Sequence, residues 1–272
     1  MNESTNTRTT LLEGVDVRKS FGTGARRHEV LHGCTVRVHE GECVAVIGGS
    51  GSGKSTLTRI LLGLETCDGG DVRFRGASIG AHGGRRGDAE RAAMRALRHV
   101  SGIVYQNPFA SLDPRWTAFD SVSEPLRLRG AHGGRGDTAL EDRVAGALRL
   151  VALEPRDFLY RYPMDMSGGQ AQRVAIARAI VTEPQILLAD EAMSAIDVAA
   201  RLQILDAFAA VRARNPKMGM VLVSHDLGVV QTIADTIVVL HDGVIVEQGS
   251  AADVLGHPQA SYTRDLIAAA TL

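Results

Sequence analysis

The chain has 272 residues, 44% of them hydrophobic, which suffices for one large core or two modest ones and excludes a disordered bulk. Its 30 basic and 31 acidic residues leave a net charge of −1, so no global field draws it to nucleic acid or to an anionic membrane surface. The three cysteines, Cys34, Cys43 and Cys67, lack C-x-x-C spacing, which argues against a zinc site or a disulfide scaffold and for small buried fillers in a reducing compartment.

The opening "MNESTNTRTTLLEGVDVRKS" has no apolar core of the kind a signal peptide needs, and no stretch approaches the roughly 18 apolar residues of a spanning helix, so the chain is expected to be soluble by itself. "LLEGVDVRKSF" (11–21) and "EVLHGCTVRVHEGE" (29–42) alternate at period two, as half-exposed antiparallel strands do. "CVAVIGG" (43–49) is a continuous apolar run and predicts a buried parallel strand, and "GKSTLTRILLGLE" (53–65) has helical spacing. "GDVRFRGASI" (70–79) adds another antiparallel strand. "GAHGGR" occurs at 80–85 and again at 130–135 with dissimilar flanks, which gives two glycine-arginine loops, each ahead of a helix, rather than a duplicated domain; a histidine metal site is the rival reading.

From residue 107 the strand signals vanish, and "DSVSEPLRLRG" and "DTALEDRVAGALRLVAL" show helical periodicity, which predicts an inserted helical subdomain over 107–172. "GGQAQRVAIARAIV" (168–181) is helical, while "QILLADE" (185–191), "GMVLVSH" (219–225) and "TIVVLHDG" (236–243) are further buried parallel strands. The expectation is an α/β core with an antiparallel β layer, read as one domain over 1–272 with a C-terminal β/α tail over 241–272.

Gly48, Gly49, Ser50, Gly51, Ser52, Gly53, Lys54 and Ser55 match G-x-x-x-x-G-K-[ST] between an apolar strand and a helix, the context that a phosphate-cradling loop requires. Glycines let backbone N–H groups turn toward phosphate oxygens, the helix N-terminus adds attraction, and Lys54 is placed to reach the β- and γ-phosphates. The Ser55 hydroxyl suits Mg²⁺, and Thr56 follows in the first helical turn. At the end of "ILLADE" strand alternation puts Asp190 and Glu191 on opposite faces, with Asp190 toward the metal and Glu191 as base for the attacking water; two solvated strand-end acids are the plain alternative. His225 closes the strand "MVLVSH" and offers a neutral imidazole, and Gln106 after "GIVY" offers an amide near metal and water. "MSGGQ" (166–170) repeats the glycine turn without a lysine: Ser167, Gly168, Gly169 and Gln170 form an anion cap or an ordinary helix N-cap.

In this order the elements resemble the ATP-binding cassette of ABC transporters, over nearly the whole chain. The resemblance makes 48–55 the Walker A loop, Gln106 the Q-loop glutamine, "MSGGQ" the signature, "ILLADE" Walker B, "SAID" (194–197) the D-loop with Asp197, and His225 the switch histidine. It implies ATP and Mg²⁺, with Ser55, Gln106 and Asp190 at the metal, and a head-to-tail pair in which one signature faces the ATP on the other Walker A loop. Phe21 stands where the family stacks a tyrosine on adenine, with core packing as its rival. "DEAMSAID" departs from the family's usual proline, threonine and leucine at Ala192, Met193 and Ile196, and Met166 replaces leucine; all are apolar exchanges.

"YQNPFASLDPRWT" (105–117) is similar to the extended Q-loop of the oligopeptide, dipeptide and nickel importer branch, and Phe109, Leu112 and Trp116 are candidates for a groove that takes a coupling helix of a membrane subunit. The tail "IVEQGSAADVLGHPQASYTRDL" resembles that branch's "HPYTRxLL" ending with residues inserted before Tyr262, and the absence of cysteine after Cys67 favours a nickel-type or second ATPase subunit. The resemblance implies a second ATPase subunit, identical or not, two transmembrane permeases, an indirectly engaged extracytoplasmic binding protein, no nucleic-acid partner, and a peripheral location on the cytoplasmic face of the membrane. A soluble non-transport ATPase of the same family, acting on nucleic acid or ribosomes, is the competing function; a P-loop kinase leaves "MSGGQ" and "SAID" without roles.

Overall fold

The computed structural model describes residues 9–80, 82, 86–131, 134, 136–193 and 196–270. Residues 1–8, most of the first "GAHGGR" run, part of the second, and Ser194 and Ala195 of the D-loop lie outside these residues. In chain order the elements are β1 (Thr10–Phe21), β2 (His28–His39), β3 (Cys43–Ile47), α1 (Lys54–Leu61), β4 (Gly69–Phe74), β5 (Ala77–Ser78), α2 (Asp88–Val100), β6 (Ser101–Val104), α3 (Pro108–Ser111), α4 (Ala118–Leu128), α5 (Thr138–Leu150), α6 (Pro155–Phe158), α7 (Gly168–Ile180), β7 (Ile186–Asp190), α8 (Val198–Arg214), β8 (Gly219–Val223), α9 (Leu227–Ile233), β9 (Thr236–His241), β10 (Val244–Ser250), α10 (Ala251–Gly256) and α11 (Ser261–Ala270). Contacts sort them into two units, one of Met1–His99, Gly219–Val221 and Ala234–Leu272, the other of Val100–Met218 and Leu222–Ile233.

In the first unit the period-two segments pair as expected. β1 runs antiparallel to β2, with Leu12 opposite Val38 and Val17 opposite Cys34, and antiparallel to β4, with Leu12 opposite Phe74. The apolar residues of these pairs point to one buried face, which is what alternation dictates. That face rests on α1: Leu57, Ile60 and Leu61 are buried at helical spacing, and the Cδ2 of Leu61 fills the space where a Cβ on Gly14 would be. The run "CVAVI" becomes β3, buried at every residue and paired in parallel with β9, while β9 pairs antiparallel with β10. The three cysteines are free and buried, and burial pushes the Cys34 thiol up to about 11, so it is an inert filler.

In the second unit β6 and β7 are parallel, Ser101 opposite Ile186 and Val104 opposite Ala189, and all of β7 is buried. β6 is a strand that the sequence pattern left unassigned. α7 is buried along most of its length and packs on α4, α5 and β6; a Cβ on Gly102 would lie 2.4 Å from Ala179 O, so glycine there lets helix and strand touch. Two arginines of α7 donate to loop carbonyls: Arg173 Nη1 to Ala152 O at 2.9 Å and Arg178 Nη1 to Ser111 O at 2.6 Å, and burial lowers the pKa of both guanidinium groups. Among the described residues no helix is long and apolar enough to cross a membrane.

Candidate functional site

The first unit carries the glycine loop. β3 delivers the chain at Ile47, residues 48–53 turn, and α1 begins at Lys54. Gly48 has φ 148°, and a Cβ there would fall 2.0 Å from Leu240 O, so no larger residue fits. Gly53, at φ 101°, is the left-handed N-cap of α1 and caps with no side chain, which leaves the helix mouth unobstructed. The first intrahelical bond from this cap is Leu57 N to Gly53 O at 2.9 Å, so the N–H groups of Lys54, Ser55 and Thr56 precede the helical ladder, as at any anion-binding N-terminus.

Two side chains give this loop its chemistry. Lys54 is only 6% exposed, and its Nζ donates to Gly48 O at 2.9 Å and Gly49 O at 2.7 Å, which centres a positive charge on the loop. Ser52 Oγ is buried without a hydrogen-bond partner among the described residues. An orphaned buried hydroxyl costs about 1–3 kcal/mol, a cost that an oxyanion in the loop would relieve. Backbone donors, a cation and an unmet hydroxyl together fit a polyphosphate. Phe21 ends β1, is 44% exposed, and carries Lys19 Nζ 4.9 Å from its ring centroid, so it is not a core residue. Ser50 and Gly51 are exposed at the tip of the loop.

The second unit holds the carboxylates. β7 ends at Asp190, which is 7% exposed. Glu191 does not continue the strand: its N–H donates to Val223 O at 3.0 Å, but its φ is 50°, left-handed backbone that a non-glycine residue adopts at a cost of order 1–3 kcal/mol. The opposite-faces expectation from strand alternation is therefore replaced by a turn at Glu191, which sets that side chain's direction by backbone conformation instead of pleat. Gln106 Nε2 donates to Glu191 Oε2 at 2.9 Å, so the Q-loop glutamine and this glutamate are brought together. Glu191, Ser224 and His225 line one small cleft, with His225 exposed past the end of β8 rather than closing it.

Arg201, from α8, bonds the carboxylate of Asp226 in that cleft and donates to Ile196 O at 3.4 Å, tying the start of α8 to the segment after His225. The sequence reading missed Arg201. It also missed Gln172, whose Nε2 donates to Tyr105 O at 3.0 Å, and Arg178; polar residues inside an otherwise apolar helical pattern were the available signal. Asp197 is the N-cap of α8, accepting from Ala200 N at 2.9 Å.

At the second glycine turn the helix N-cap reading is met. Ser167 Oγ accepts from Gln170 N at 3.3 Å and Gln170 Oε1 accepts from Ser167 N at 3.0 Å, a reciprocal capping box. This uses lone pairs of the Ser167 oxygen and leaves its proton able to donate outward. A Cβ on Gly169 would lie 2.5 Å from Ala200 Cβ, so Gly169 is required by the contact between α7 and α8. A Cβ on Gly168 would meet nothing within 4 Å, so no contact among the described residues requires glycine there.

Comparison with known proteins adds an independent line. The protein-family model described as ABC transporter matches residues 31–194. The glutathione import ATP-binding protein GsiA of Shigella flexneri serotype 5b is 42% identical over 229 residues, 84% of this chain and 35% of GsiA, so the chain spans about a third of that relative's length. The oligopeptide transport ATP-binding protein OppF of Lactococcus lactis subsp. lactis is 35% identical over 242 residues, 88% of this chain and 71% of OppF. Among solved structures, the dimeric post-hydrolysis state of the ATP-binding cassette MJ0796 bound to ADP and Pi superposes with a TM-score of 0.75 at 29% identity, over 89% of this chain and 99% of that one.

Proposed function

This chain belongs to the ABC transporter family, and from that premise we propose that it is an ATP-hydrolysing subunit that energises an importer for peptides, nickel or metal chelates. The observation that carries the proposal is the cradle at residues 48–56, where Lys54 is held at the loop and the buried Ser52 hydroxyl lacks a partner. In this reading Gly48, Gly49, Ser50, Gly51, Ser52, Gly53, Lys54, Ser55 and Thr56 hold the phosphates and Phe21 stacks on the base. Ser55, Asp190 and Gln106 supply oxygen donors of the hard kind Mg²⁺ takes, and the bound ion would neutralise phosphate charge. Glu191, oriented by Gln106, accepts a proton from the attacking water, a contribution of about 10² to 10⁴ in rate for a well-placed base, and His225 hydrogen-bonds beside it.

Ser167, Gly168, Gly169, Gln170 and Asp197 complete the ATP site of a second ATPase subunit, identical or paralogous. The open space at Gly168 supports this reading, since a glycine that no contact among the described residues requires is suited to a surface that meets another chain. Two permeases, engaged through the exposed Phe109 and Trp116 of the extended Q-loop, would hold the pair on the cytoplasmic face of the membrane, with a binding protein presenting cargo from outside. GsiA and OppF are named for glutathione and oligopeptide transport, which favours the peptide end of the cargo range. The whole of 1–272 is one cassette in this proposal, with 107–172 as its helical subdomain and 241–272 as its tail.

The test is turnover against concentration. Phosphate release per chain should rise as the protein is concentrated or assembled with its permeases, and affinity purification from membranes should recover those permeases. Recovery of DNA or ribosomes without permeases, or full turnover by dilute single chains, would reverse the reading.

A further inference from the structure

Tyr262 is the second residue of α11, and its hydroxyl accepts a hydrogen bond from Gly49 N, inside the phosphate loop, at 2.8 Å. Its ring stacks on the imidazole of His241, the last residue of β9, with centroids 3.8 Å apart and planes at 20°. A Cβ on Gly49 would lie 3.1 Å from that hydroxyl, so the oxygen is seated closely against the loop. Nearby, Gly243 N donates to Ser52 O at 3.1 Å, and Leu240 O occupies the space beside Gly48. The loop is therefore gripped at residues 48, 49 and 52 by the chain's last segment, while its other end runs into α1.

The approach to α11 is itself fixed. The carboxylate of Glu247, on β10, accepts from Gln259 N at 2.8 Å and from Ala260 N at 3.0 Å. Burial works against that carboxylate, yet these N–H donors outweigh it and hold its pKa below the usual value. Arg264 Nη1 donates to Gln259 O at 3.1 Å, and Thr263 is fully buried. Gln259 and Ala260 thus form part of an anchored turn that aims the helix.

We infer that Tyr262 is a positioning residue for nucleotide binding: its hydroxyl holds the second residue of the phosphate loop, so that the cradle is shaped before the nucleotide arrives. This rests on the ATP reading above and extends it to the segment that carries α11. A loop ordered in advance loses less conformational freedom on binding, so the latch acts on affinity. Once ATP is seated the loop is held by its ligand, so saturated turnover depends on the latch far less.

Tyr262→Phe keeps the ring and the stack and removes the oxygen. In the full chain, losing a neutral hydrogen bond of this kind should weaken Mg²⁺-ATP binding about three- to tenfold by calorimetric titration. kcat at saturating ATP should stay within about twofold, placing the loss in KM. The nucleotide-free melting temperature should stay within about 2 °C, and the Gly49 amide proton should exchange faster in the nucleotide-free protein. If Tyr262→Phe does not fold, Gly49→Ala crowds the same contact from the loop side and should weaken ATP in the same direction. Unchanged affinity, unchanged Gly49 exchange, or an affinity loss that only follows a loss of folding stability each overturns the inference. Wild-type protein that binds no ATP refutes the nucleotide reading instead, and the Gly49 exchange rate still decides whether the latch exists.

Discussion

Residues 48–53 and 167–169 are both glycine runs that open a helix, and the reasons for their glycines differ. In the first run Gly48 and Gly53 have positive φ, and a Cβ on Gly48 would strike a backbone carbonyl. In the second run neither glycine has positive φ; Gly169 is required by Ala200, and Gly168 by nothing among the described residues. The phosphate loop is over-determined by its own fold, held from below by Leu240, Gly243 and Tyr262. The signature turn is capped and well formed, with open space beside its first glycine among the described residues. The proposed sharing of the site between two chains would give the first run a binding role and the second a role toward the partner.

Four substitutions would break or sharpen this comparison. Glu191→Gln should lower phosphate release by about 10² to 10⁴ while ATP binding persists in a filter assay, and unchanged turnover would remove Glu191 as the base. Lys54→Ala attacks the preformed half, and losing a charge-assisted contact of about 1.5–3 kcal/mol should weaken ATP roughly 10- to 150-fold in a direct titration. The paired substitutions at the signature separate its two glycines. Gly169→Ala should cost about 1–3 kcal/mol of folding stability in a denaturant titration, because its Cβ is forced against Ala200. Gly168→Ala should leave stability unchanged or raise it by up to about 1 kcal/mol, yet depress turnover of the concentrated protein. If turnover is untouched, Gly168 does not face a partner.

The smallest effect concerns Asp113 of the extended Q-loop. Hydrogen bonds from the Arg115 side chain and N–H lower its pKa to about 2. A depressed carboxyl adds stability above its unfolded value, near 4, and loses it as pH falls through the folded value, so the pair stays charged at neutral pH. Both residues are solvated, so Asp113→Asn should shift the melting temperature by less than about 1 °C at pH 7. A larger shift would mean that the loop's order depends on this pair.

Much of this architecture was legible because its signals are local. β3, β7, β8 and β9 are apolar runs buried along most or all of their length, and the phosphate loop declares itself by glycine and lysine at fixed spacing. β6 escaped because "SGIV" is short, half polar, and follows α2 without a turn residue between them. α8 buries Ile204, Ala207, Phe208 and Val211 at helical spacing, but the equally apolar Val198 and Leu202 are exposed and blur the stripe. The left-handed Glu191 could not be read from "LLADE", since alternation assumes that the strand continues. Tyr262 and Gly49 are 213 residues apart, and no periodicity links them.

α7 has a mechanical consequence. Through Gln172 it grips Tyr105 at one end of the Q-loop and through Arg178 it grips Ser111 at the other, and the same helix starts at the Ser167 turn. Thirteen residues make a rod of about 20 Å, too stiff to absorb a push locally. Residues 105–111 and the Ser167 turn are thereby fastened to one stiff element, with Gln172 a single turn from Gly168.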